Sequence, residues 1–210
     1  MRAHRAFTLI ELLTVIAVVG VLAGILVPVV GAVRDRARAT QCLGNMRQIG
    51  AASLLYLADN QGRLPSNGHD RNPDGTSRSW RDTLETYLGP NFLGRCPSRP
   101  EHPHDISYGW NDFLTEPSGP ATGRGISLGA CRQPSATLML GELTDEGISD
   151  HLHFRRFPRG VTINGFRQEV RIDVHRNSSN YLFVDGHVAN LPTTEIGRRL
   201  AAANSPFIIP

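Results

Sequence analysis

Twenty-two consecutive residues, Leu12 to Val33, carry no charge. In a helix rising about 1.5 Å per residue such a run spans roughly 33 Å, enough to cross the hydrocarbon core of a bilayer. Arg2 and Arg5 precede it and favour a cytoplasmic N-terminus, but Arg34, Arg36 and Arg38 follow it. Charge alone therefore leaves the orientation open. A cleaved secretory signal has an apolar core of only about 7–15 residues, so this run is too long for one. A simple signal anchor fits the length but gives no reason for Glu11. A carboxylate inside such a segment costs on the order of 2–3 kcal/mol and calls for a partner or a function.

After Arg34 the pattern turns amphipathic. Ala39, Cys42, Met46, Ile49, Ala52 or Ser53, and Tyr56 recur at helical spacing, with Leu43, Leu54 and Leu57 widening the stripe. Asp59-Asn60-Gln61-Gly62, with Pro65 beyond, should end the helix. One helix over about 8–59 would be roughly 75 Å long. This predicts an apolar half over 7–33 and an amphipathic half over 34–61 whose stripe faces a domain core.

Residues 62–210 read as one α+β head. Residues 62–80 are polar and rich in Gly, Asn, Asp and Pro, a surface loop. Residues 79–88 form a short helix with Trp80, Leu84, Tyr87 and Leu88 on one face, ended by Gly89-Pro90. Strands are expected at 106–110, 137–141, 151–157, 169–175, 180–184 and 187–191, and a last helix at 193–203. The expected sheet is small and antiparallel, with Asn177-Ser178-Ser179 joining two strands as a hairpin and Gly186 at a turn or bulge.

All 22 basic residues are Arg and the net charge is only +3 with no basic run, so composition argues against nucleic-acid binding. The three cysteines match no zinc spacing. Cys42 falls on the helix stripe and reads as a small buried apolar residue. If the head lies outside the cytoplasm, Cys96 and Cys131 are candidates for a disulfide, a pairing that sequence leaves open. No Ser-His-Asp order, paired-carboxylate context or phosphate loop points to an enzyme.

The segment Ala6-Phe7-Thr8-Leu9-Ile10-Glu11 resembles the cleavage and methylation signal of type IV prepilins and type II secretion pseudopilins. The resemblance implies that residues 1–6 are a leader removed by a prepilin peptidase between Ala6 and Phe7. Ala6 stands where the family usually has Gly. It also implies that the new amine of Phe7 is methylated. Glu11, fifth in the mature chain, would meet the N-terminal amine of a neighbouring subunit. Pro28, at the twenty-second mature position, matches a Pro that kinks or locally melts pilin helices, a consequence of its missing N–H and ring clash. The implied setting is a bacterial inner membrane crossed once, with the head in the periplasm or outside the cell. Other pilin-like subunits and an inner-membrane assembly platform would be its partners. The alternative is a membrane-anchored module that binds a metal ion or glycan outside the cytoplasm.

A second resemblance lies near the C-terminus. His175 is followed by nine residues and then Asp185-Gly186, similar to a His-x9-Asp-Gly element found in a large group of pilin-like proteins. Asn45 to Gly50, Cys96-Pro97-Ser98, Ser107-Tyr108-Gly109 and Leu140-Gly141-Glu142 also fit that group loosely. His175, Asp185 and His187 are metal-capable types, with Asp173 and Glu142 as candidate neighbours. Oxygen ligands would suit calcium, and His ligands zinc or another transition metal. The plainer expectation is that His175 and Asp185 hydrogen-bond each other or nearby backbone and fix a hairpin.

Overall fold

The computed structural model describes residues 8–67, 70–71, 77–90, 92, 94–103, 105–116, 124–146, 150–157, 160–201 and 205–210. The chain divides into two compact units, Met1–Ala37 and Arg38–Pro210. Helix α1, Leu9–Asp59, runs through the boundary.

In the first unit α1 opens with a reciprocal cap. Glu11 N donates to Thr8 Oγ1 at 3.3 Å, and Thr8 N donates to Glu11 Oε2 at 2.9 Å. This is the Thr-x-x-Glu box that satisfies two N–H groups otherwise orphaned at a helix start. The apolar side chains from Leu12 to Val33 are exposed on every face. A helix apolar all round belongs in lipid or inside a helical assembly. Among the described residues it is the one helix long and apolar enough to cross a membrane. The helix runs on past Pro28, which has no N–H to give to the carbonyl one turn back.

In the second unit α1 turns one stripe inward. Cys42, Met46, Ile49, Ala52 and Ser53 are buried, following the 3.6-residue period of the sequence. The helix stops where expected: Gln61 and Gly62 take positive φ of 58° and 71°, and Gly62 N bonds back to Leu57 O. A two-residue hairpin of β1 (Asp70–Arg71) and β2 (Ser77–Arg78) follows. Next come α2 (Trp80–Leu88), β3 (Tyr108–Asn111), β4 (Leu138–Glu142), β5 (His151–Leu152) and α3 (Ile163–Glu169). The last elements are β6 (Ser178–Phe183), β7 (Val188–Pro192) and α4 (Thr193–Leu200).

The main sheet has the order β5-β3-β4-β6-β7. It is mixed rather than wholly antiparallel, because β5 joins β3 in parallel. Both faces are covered. Leu182 and Val184 face the α1 side with Trp80, Tyr108, Trp110 and Leu140. Tyr181 and Phe183 alternate to the other side and meet Phe154, Phe166, Ile196 and Phe207. A strand buried on both faces reads as an unbroken apolar run, as Tyr181-Leu182-Phe183-Val184 does.

One expected strand is not formed and another is cut short. Residues 169–175 follow α3, which Thr162 caps by accepting from Gly165 N, and only Val170 makes a bridge, to Leu143. Arg176 and Asn177 then take left-handed φ of 53° and 57°, so the Asn177-Ser178-Ser179 cluster leads into β6 instead of joining two strands. The 151–157 stretch is a two-residue strand followed by a 3-10 turn at Phe154–Arg156.

Asn111 locks the end of β3. Its Nδ2 donates to Leu138 O at 2.9 Å and Ile208 O at 2.8 Å, and its Oδ1 accepts from Phe113 N. The residue is fully buried. Asn111→Ala would strand these groups away from water and should destabilise the head by about 2–3 kcal/mol. The thermal midpoint of the detergent-solubilised chain reads this, and an unchanged midpoint would refute it.

Candidate functional site

Two regions hold the chemistry anticipated from sequence. At the N-terminus, Ala6 and Phe7 lie outside the described residues. Glu11 is described: its carboxylate bonds both the N–H and, at 2.8 Å, the hydroxyl of Thr8.

The C-terminal polar group divides into three parts. Asp185 and His187 pair with each other, Oδ1 to Nδ1 at 2.6 Å, on an exposed turn, and His187 stacks on Phe183. Asp173 binds Arg171 at 2.6 Å, also exposed. His175 and Glu142 meet in the interior, Nε2 to Oε1 at 3.3 Å. His175 and Asp185 do not meet, because β6 lies between them, and Asp185 takes the backbone alternative by accepting from His187 N at 3.1 Å. Six extended residues put about 20 Å between the ends of a strand.

What surrounds His175 and Glu142 is a pair of thiols. Cys42 Sγ lies 3.3 Å from Glu142 Oε1, and Cys96 Sγ 3.9 Å from His175 Nε2. One ligand-type atom from each of Cys42, Cys96, Glu142 and His175 lies within 4.8 Å of every other. The two cysteines and the glutamate are fully buried, and the His175 side chain is 4% exposed. Four elements converge to make this cluster: the stripe of α1, the 95–100 loop, the last residue of β4 and the turn before β6. The loop is pinned by Cys96 N donating to Ser107 Oγ and by buried Arg99, which bonds Leu143 O and Asp145. The candidate Cys96–Cys131 bridge is not formed: all three cysteines are free, and Cys131 contacts Thr137 Oγ1 instead.

Each member of the cluster has an outer partner. Tyr108 OH donates to Cys42 Sγ at 3.3 Å, Asn180 N donates to Glu142 Oε2 at 3.3 Å, and Ser98 Oγ lies 3.3 Å from His175 Nδ1. Burial pulls the His175 pKa down, but the contacts with Cys96 and Glu142 outweigh it and lift the value to about 9. The contact with Cys42 holds the Cys96 thiol below its ordinary range, with help from His175 and against burial. The same contact, with burial and the Glu142 charge, pushes Cys42 up.

Cys42 and Cys96 are the members that sequence leaves out of the cluster, Cys96 being a candidate only for a disulfide and Cys42 only for the core. The place of Cys42 on the inward stripe was legible, but a cysteine there reads the same whether it meets leucine or another thiol.

Comparison with known proteins bears on the N-terminal region. The family described as "Prokaryotic N-terminal methylation motif" matches residues 1–27. The chain is also 39% identical over 59 residues to "Type II secretion system core protein G" of Pseudomonas aeruginosa. Both similarities are confined to the N-terminal part of the chain. That alignment covers 28% of this chain and 42% of the relative, so the chain spans less than half of the relative's length. No solved structure matches the chain. The matched methylation segment includes Ala6, Phe7, Glu11 and the opening of α1.

Proposed function

We propose that this chain is a structural subunit of a type II secretion pseudopilus or type IV pilus. A prepilin peptidase cuts between Ala6 and Phe7, the Phe7 amine is methylated, and the apolar half of α1 anchors the subunit in the inner membrane until it enters a filament. The reading is carried by the prepilin-type motif standing at the head of an all-round apolar helix with one carboxylate. A helix of that kind needs lipid before assembly and neighbouring helices after it. The head would then face the periplasm or the exterior. Other pilin-like subunits and an inner-membrane platform are its partners in this reading.

The test is chemical. The chain isolated from cells expressing a prepilin peptidase should begin at Phe7 and carry a methyl group on its N-terminal amine, as read by mass spectrometry. A mature chain that still begins at Met1 under those conditions would overturn the processing step. Ala6→Gly restores the residue usual before the cut and should raise the processed fraction.

A further inference from the structure

We propose that Cys42, Cys96, Glu142 and His175 form a zinc site in the head. The ligand set is that of a borderline-soft cation: two thiolates, one imidazole nitrogen and one carboxylate oxygen. Tetrahedral zinc, with Zn–S near 2.3 Å and Zn–N or Zn–O of about 2.0–2.1 Å, puts neighbouring ligand atoms roughly 3.3–3.8 Å apart. The observed edges are 3.3 Å for Cys42–Glu142, 3.3 Å for Glu142–His175 and 3.9 Å for Cys96–His175. All six edges are within 4.8 Å. A cation at the centre therefore needs only small side-chain adjustments.

The outer contacts suit the same role. Ser98 Oγ lies within hydrogen-bond reach of His175 Nδ1, and by accepting from an Nδ1–H it would orient the ring with Nε2 toward the ion. Tyr108 OH supports the Cys42 sulfur, and the Asn180 N–H holds the second Glu142 oxygen. Without a cation, the buried His175–Glu142 contact has two thiols as near neighbours, and a thiol is a weak donor. A buried ion pair recovers its desolvation cost only when its remaining valences are well satisfied. A divalent cation replaces these weak contacts with four coordinate bonds and neutralises most of the negative charge. The site would be structural: all four positions are taken by protein atoms, leaving none for a substrate. It would tie the amphipathic half of α1 to β4, to the 95–100 loop and to the turn before β6. On its outer side the cluster borders an open groove, lined by Cys96 with Gln41, Asn45, Phe92 and Pro97.

The competing fates of the same atoms are a Cys42–Cys96 disulfide and a metal-free hydrogen-bonded network. The full chain, without a histidine tag, should be purified in detergent, and its zinc measured by elemental analysis beside its intact mass. One zinc per chain with both thiols reduced is the expected result. Replacing the ion with cobalt(II) should give the intense thiolate charge-transfer and d–d bands of a tetrahedral site. Tyr108→Phe keeps the packed ring but removes the donor to Cys42, and should weaken zinc binding about tenfold. Cys42→Ser and His175→Ala should lower zinc occupancy much further. The proposal is overturned if the folded wild-type chain takes up neither added zinc(II) nor cobalt(II). It is equally overturned if the purified chain lacks two hydrogens because Cys42 and Cys96 are joined.

Discussion

Glu11→Ala should leave the chain in the membrane fraction but reduce its incorporation into filaments at least ~30-fold. The two halves of this expectation have different causes. Insertion depends on the uncharged run from Leu12 to Val33, and removing a carboxylate from its start lowers the cost of entering lipid. Assembly depends on what the carboxylate meets. If Glu11 pairs with the methylated amine of a neighbouring Phe7, truncation leaves that amine without its counter-charge in an apolar filament interior. Such a loss costs about 2–5 kcal/mol, and every 1.4 kcal/mol is a factor of about ten. The cap seen at the start of α1 supplies a rival explanation, because Glu11 also holds the Thr8 N–H and hydroxyl. Glu11→Gln separates the two, since glutamine can serve in the same capping box without charge. We expect Gln to fail as Ala fails. Filaments from the Gln variant at wild-type yield would mean that capping, and not charge pairing, is the contribution of Glu11. Filaments from the Ala variant at wild-type yield would refute both.

Much of the architecture was legible because its signals are local. The stripe from Cys42 to Ser53 predicts the inward face of α1, and Gln61-Gly62 its end. Ser79 and the Trp80–Leu88 pattern predict α2. The apolar run Tyr181–Val184 predicts a central strand, and Thr193 onward the last helix. The errors arose where local pattern is ambiguous. Ile163–Glu169 is too short for a clear helical period, so α3 was missed, and its C-terminal neighbours were read as a strand. The parallel pairing of β5 with β3 is a long-range fact that a two-residue strand cannot announce. The polar cluster failed for the same reason. His175 and Glu142 were singled out by residue type, but their partners Cys42 and Cys96 arrive from positions about a hundred residues and a few dozen residues away from Glu142. Asp185 and His187, near in sequence, are carried off to the far end of β6 and onto the surface.

That displacement gives the His-x9-Asp-Gly element a physical meaning, and Gly186 its sharpest test. The element brackets β6: His175 precedes the strand and enters the buried cluster, while Asp185-Gly186 follows it and makes the turn to β7. Asp185 Oδ1 accepts from His187 N at 3.1 Å, which shapes the turn. Gly186 then takes φ 88° and lies against α1. A Cβ built on it would come within 2.7 Å of Leu54 Cδ1, and one built on Gly50 within 3.0 Å of Gly186 O. Helix and turn therefore approach backbone to backbone at this point, where no side chain fits between them. Gly186→Val should destabilise the head by about 3–5 kcal/mol, from left-handed backbone strain and from overpacking against the helix. Leu54 is 38% exposed, so Leu54→Ala alone should cost little. Combined with Gly186→Ala it should recover the steric part of the loss but not the backbone part, giving a double-mutant coupling of roughly 1 kcal/mol. Thermal unfolding and protease resistance of the full chain in detergent measure these terms. A Gly186→Val chain that melts with the wild type would show that the turn moves off α1 without cost. In that case the element would hold its place through His175 and Glu142 alone.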